Sequence, residues 1–136
     1  MKTHAFLFFL LLVPATLSAR TAAPDGAEVY FIAPLNGETV QSPVTIKFGL
    51  KNMGVAPAGV TMENTGHHHL LVDTALPPLD QPVPTDDHHR HFGKGQTETV
   101  LELPPGTHTL QLLLGDFAHV PHEPAIKSEP ITITVK

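Results

Sequence analysis

The strongest constraint on this chain is a repeated two-residue alternation of apolar and polar side chains. In "VTIKFGL", Val44, Ile46, Phe48 and Leu50 alternate with Thr45, Lys47 and Gly49. "THTLQLLLGD" puts His108, Leu110, Leu112 and Leu114 on one face, and "PITITVK" sets Ile131, Ile133 and Val135 against Thr132 and Thr134. Successive side chains of a strand point to opposite faces, so this period belongs to half-buried β-strands. "EVYFIA" (28–33), "HHHLLVD" (67–73) and "TETVLEL" (97–103) read the same way, each bounded by Pro, Gly or Asn. No segment sustains a 3.6-residue period. The expected fold is all-β: a small antiparallel β-sandwich of immunoglobulin or fibronectin type with long Pro/His-rich loops. "LPPGTHTLQLLLGD" fits its penultimate strand, with "PITITVK" beside it.

Two segments resist the pattern, 51–66 and 74–96. Four prolines between Pro77 and Pro84 block regular hydrogen bonding in the second. A long stretch of this kind inside a compact domain is usually functional or disordered.

The first residues read as a targeting signal. After a short polar start, Ala5 to Val13 is an unbroken apolar run, followed by small residues in "PATLSARTAA". That order fits a secretory signal over residues 1–19, with cleavage as late as Ala23, and the run is too short to span a bilayer. Removing 19 or 23 of the 136 residues leaves 117 or 113, enough for one domain. Residues 20–27 are expected as a short flexible lead-in and 28–136 as a single His-rich sandwich domain. No later segment is a candidate membrane span, so a periplasmic or secreted protein is expected. The net charge is −5 with no basic cluster, which argues against nucleic acid or anionic lipid as partners. Cysteine is absent, so an exported fold must be held by burial alone and thiolate metal sites are excluded.

The residues that carry chemistry are histidines. Beyond the signal segment they fall as "HHH" (67–69), "HHRH" (88–91), His108 alone and "HVPH" (119–122). Leu70 and Val72 look like core, which puts His68 at the core margin and turns His67 and His69 to the opposite face. His-x-His on a strand lets two imidazoles reach one ion. His89 and His91 repeat the spacing, and a loop can converge His119 and His122 despite Pro121. Neutral imidazole suits Zn(II), Cu(II) or Ni(II), with affinity expected to fall below about pH 6.5 as the rings protonate. The candidate ligands are His67, His69, His89, His91, His119 and His122. His68, His88, Asp73, Asp116 and Met53 are candidates for second-layer or accessory roles. His108, in inward register with three leucines, is expected as a hydrogen-bonded core-edge residue in the place of a corner tyrosine.

Other chemistry finds little support. No Gly-x-Ser-x-Gly elbow frames Ser42 or Ser128, and "GKGQTE" opens no helix as a phosphate loop would. A metal-dependent enzyme would need an open coordination position beside an acid such as Asp73 or Glu63. The expected function is therefore not enzymatic. It is binding of copper or zinc for storage, delivery or tolerance, with no organic cofactor. The alternative is a cell-envelope docking module for protein or glycan, its histidines structural or pH-responsive.

"GHHHLLVD", "HHRHFGKGQTE", "LPPGTHTLQLLLGDFAHVPHEP" and "FGLKNMGVAPAG" together resemble the exported bacterial family called domain of unknown function 4399. The resemblance spans about Val44 to Val135. The family pattern varies at the Arg90 position, so Arg90 is given no role. The resemblance implies a small exported domain and supplies no activity, cofactor or site assignment; its motifs are the same His-rich segments.

Overall fold

The computed structural model describes residues 19–136; the expected signal segment therefore lies almost wholly outside the described residues. The alternating segments form six strands: β1 (Glu28–Ala33), β3 (Val44–Lys51), β5 (Thr65–Val72), β7 (Glu98–Leu101), β8 (Gly106–Gly115) and β9 (Ile131–Val135). Three short ones lie between them: β2 (Thr39–Val40), β4 (Gly54–Val55) and β6 (His89–His91). β4 and β6 fall inside the two segments expected to be irregular. The described residues contain no helix, and so none long and apolar enough to cross a membrane.

The strands make a small all-β sandwich. One sheet has the order β1-β3-β7 and the other β2-β9-β8-β5-β4, with β6 also pairing β5. Pairing is antiparallel except for the short β2–β9 and β4–β5 ladders. Between the sheets, Val29, Val44, Ile46 and Phe48 from one side meet Leu70, Val72, Leu110, Leu112, Leu114, Ile131, Ile133 and Val135 from the other. These are the inward sets that alternation defines, and β8 and β9 are indeed neighbours.

The six-stranded sheet is covered on its outer face too. Leu71 and Leu113 point outward and are buried against Val83, with Leu76 and Leu79 packed around them. The Pro-rich segment is thus an ordered cover over β5 and β8. Fully burying a side chain of this size contributes about 1.5–3 kcal/mol. The prolines reduce the backbone freedom that ordering removes. A strand covered on both faces is buried end to end, which is why His67 through Val72 are all buried.

Residues 20–27 depart from the expectation of a flexible lead-in. Ala23 N–H donates to the Glu123 carbonyl and Glu123 N–H to that of Thr21. Thr21 Oγ1 donates to Asp116 Oδ2 at 2.6 Å, and the Arg20 guanidinium engages Glu123 and the Pro121 and His122 carbonyls. Paired backbone with charged anchors at its start leaves this stretch little freedom.

His108 closes one corner as expected. Its Nδ1 lies 2.7 Å from Asp73 Oδ2 and its Nε2 2.8 Å from the Pro104 carbonyl. Both partners accept, so the fully bonded form is the doubly protonated imidazolium. The Asp73 hydrogen bond raises the His108 pKa above 6.5. Burial pushes Asp73 up, but the bonds from His108 and the Thr109 N–H outweigh it and hold its pKa below 3.8. The pair's contribution is therefore present below pH 6.5, is lost as pH rises through the raised His108 value, and is also lost in strong acid as Asp73 protonates. Asp73 is half-exposed, so we expect His108→Gln to cost about 1 kcal/mol near pH 6 and clearly less at pH 9. Urea unfolding at the two pH values checks this; a penalty that grows with pH would contradict it.

Candidate metal centre

Four imidazoles from three separate pieces of chain meet at one end of β5. His67 and His69 share its outer face. His91 on β6 sits directly across from His69 in the ladder. His119 comes from the turn that follows β8. Ring centroids lie 4.8 Å apart for His67–His69, 5.0 Å for His67–His91, 4.9 Å for His67–His119 and 4.8 Å for His91–His119. His69 is 5.1 Å from His91 and 6.1 Å from His119. Ligand nitrogens of His67, His91 and His119 lie within 4.8 Å of one another, while His69 Nε2 touches His67 Nε2 at 3.1 Å.

Local sequence explains each placement. Asp116 Oδ1 accepts the N–H groups of Ala118 and Val120, and its carbonyl accepts that of His119. This tight turn holds His119 at φ 69°, a left-handed conformation histidine tolerates better than most residues. The His119 carbonyl in turn accepts the Val83 N–H, tying the Pro-rich cover to the site. Two glycines make room. Gly115 pairs with His67 on the β5–β8 ladder, and a Cβ there would lie 2.8 Å from His69 Nε2. A Cβ on Gly93 would lie 2.3 Å from His91 Cε1. Gly93→Ala should therefore swing His91 out of the cluster while the strands persist. Zinc affinity is expected to fall at least about tenfold with an unchanged far-ultraviolet CD spectrum, since outer supports of metal ligands carry effects of about 10–100-fold. Unaltered affinity would show that His91 is not a ligand.

The site is largely buried and electrically unusual. His67 and His69 are fully buried, and His91 and His119 are partly so. Burial, then the proximity of His119 and His91, lowers the His67 pKa to about 4, with Asp116 opposing. Burial, then His67, His91 and His119, lowers His69 to about 2. His91 is lowered as well, by burial first and His119 second. These three rings are neutral at pH 7, the form that binds metals. In the His67–His69 contact one Nε2 carries the hydrogen and the other accepts it. His67 Nδ1, His69 Nδ1 and His91 Nε2 have no hydrogen-bond partner among the described residues. A buried polar atom without a partner costs about 1–3 kcal/mol.

The other candidate residues lie elsewhere. His89 follows on β6 beside Leu71, where its Nδ1 meets Asp86 Oδ1 at 2.9 Å. His88 Nδ1 donates to the Val72 carbonyl at 2.8 Å. His122 is buried against Gly66, apart from the four rings, and burial lowers its pKa. His68 is not at the core margin but fully buried within it, its ring 4.7 Å from Phe48. Burial lowers its pKa to about 4; the nearby Gln96 backbone opposes this weakly, without a hydrogen bond of normal geometry. Met53 packs against the main core. Asp73 serves His108, and Asp116 sets the His119 turn rather than facing a ring nitrogen at bonding distance. Beside the cluster, a surface pocket of about 340 Å³ lined by Asp86, His89, Arg90 and Phe92 has His91 in its wall.

Comparison with known proteins adds a family and no activity. No curated protein and no solved structure matches the chain. The family model described as Domain of unknown function (DUF4399) matches residues 46–136, and the chain belongs to that family.

Proposed function

We propose that this is an exported protein that binds one transition-metal ion, copper or zinc, through His67, His69, His91 and His119. The observation that carries the reading is the meeting of four imidazoles, two of them fully buried, whose rings contact one another and of whose nitrogens three have no hydrogen-bond partner among the described residues. Metal–nitrogen bonds of about 2.0–2.1 Å put ligand nitrogens about 3.3 Å apart in a tetrahedron. The His67–His69 contact of 3.1 Å already fits, and the wider His67–His91–His119 set, spread over as much as 4.8 Å, needs a contraction of up to about 1.5 Å. An ion would give a partner to His91 Nε2, which otherwise remains unmatched. Storage, delivery or tolerance suits such a site better than catalysis, because no acid stands among the rings.

Docking to an envelope partner finds less support. The histidines of the triple are buried rather than displayed, and Leu76, Leu79 and Val83 of the Pro-rich segment are turned inward. Isothermal titration of tag-free protein tests the proposal. One ion per chain with Kd below about 1 μM, abolished by changing His67 and His69 together to Ala, is expected. Binding only above about 100 μM, unaffected by that change, would overturn it.

A further inference from the structure

We infer that the four-imidazole site is a closed tetrahedron, with no position left for water or substrate. This rests on the metal-binding reading and deepens it with a coordination geometry, since the His67–His91–His119 triad without His69 would leave one position open. The six centroid separations carry it. For metal–nitrogen bonds near 2.05 Å, four rings placed tetrahedrally have all six centroid distances near about 5.2 Å. A square-planar set would instead show four near about 4.5 Å and two opposite pairs near about 6.4 Å. Here five separations fall between 4.8 and 5.1 Å and one is 6.1 Å. If the 6.1 Å pair, His69 and His119, were opposite corners of a square, His67 and His91 would be the other opposite pair, yet they are 5.0 Å apart. The rings are folded out of any common plane.

Position and packing agree with this. His69 is as buried as His67, its Nε2 points at His67 Nε2, and Gly115 leaves the space its ring fills. Met53 packs against the main core and Met62 is exposed, so among the described residues no thioether joins the set to favour a soft ion. An all-imidazole tetrahedron suits Zn(II), which has no geometric preference of its own. It disfavours Ni(II), which takes square-planar or octahedral sites.

Cobalt(II) is the probe. The wild-type chain loaded with Co(II) should show the intense visible bands of a tetrahedral ion, unchanged between pH 6.5 and 9 because no bound water titrates. Zn(II) should displace it and bind at least about tenfold more tightly than Ni(II), against the usual order for nitrogen ligands. His69→Ala should retain weaker binding and acquire a pH-dependent spectrum, as a metal-bound water ionises near neutral pH. Pale six-coordinate bands, a wild-type spectrum that titrates, or Ni(II) binding as tightly as Zn(II) would overturn the closed tetrahedron while leaving metal binding intact. Failure of all three ions to bind would overturn both. Should His69→Ala not fold, the wild-type pH series and the Zn/Ni ratio decide alone.

Discussion

Zinc at a thousandfold excess over its Kd should raise the thermal unfolding midpoint of this protein by about 12–20 °C. A ligand that binds only the folded state adds about 4 kcal/mol at that concentration. For a domain of this size each kcal/mol moves the midpoint by about 3–5 °C. At a fixed multiple of Kd this gain follows from mass action alone, whatever the contacts that set Kd. The ion would also link β5, β6 and the turn after β8. Changing His67 and His69 together to Ala should abolish the shift. Each of these substitutions leaves a cavity, so the variant without metal should itself melt lower. Differential scanning calorimetry with and without zinc, on both proteins, separates the two effects. A midpoint indifferent to zinc in the wild type would contradict the account.

Acid should unfold the apo protein at mild pH. His67 and His68 have folded pKa values of about 4 and His69 about 2, against 6.5 for an ordinary histidine. Their folded values lie below the unfolded one, so the unfolded chain takes up protons first. Stability is therefore complete above pH 6.5 and declines as pH falls from there toward the folded values. Each fully shifted histidine contributes a slope of about 1.4 kcal/mol per pH unit. Three together make about 4 kcal/mol per unit, against a typical total of about 5–15 kcal/mol. The His108–Asp73 pair does not offset this, because its contribution changes little between pH 6 and 4.5. We expect cooperative unfolding by CD between about pH 5.5 and 4. His68→Leu, which removes one of the three without touching the cluster, should shift that midpoint downward and leave metal affinity unchanged. An apo protein still folded at pH 3 would show the rings to be less desolvated than they appear. The same depression alters the pH dependence expected of metal binding. At His67 and His69 competition from protons should set in well below pH 6.5, because these two rings hold no proton there.

Much of this was legible from alternation alone, and the reasons differ by element. β1, β3, β8 and β9 each have one face on the main core, so two-residue periodicity exposes them. The His67/His69 face was readable because Leu70 and Val72 fix the register of β5. β6 was not, since "HRH" has no apolar residue and extends only by pairing with β5. That pairing is what distinguishes His91, across from His69, from His89, beside Leu71. The choice of His119 over His122 depends on the Asp116 turn and a left-handed backbone, neither of which two-residue spacing encodes. Gly93 and Gly115 do their work by lacking a Cβ beneath a ring from elsewhere, so only coordinates reveal them. His68 was placed at the margin because alternation ranks faces, not depth. The cover formed by 74–96 escaped notice because its prolines hide Leu76, Leu79 and Val83 from any periodic pattern.

X-ray absorption at the zinc edge of the loaded, tag-free protein probes the shared ion itself. The account predicts a first shell of four nitrogens near about 2.0 Å, with the outer-shell scattering of imidazole rings and no sulfur. A shell of five or six oxygens with one imidazole or none would mean that His67, His69, His91 and His119 gather for packing alone.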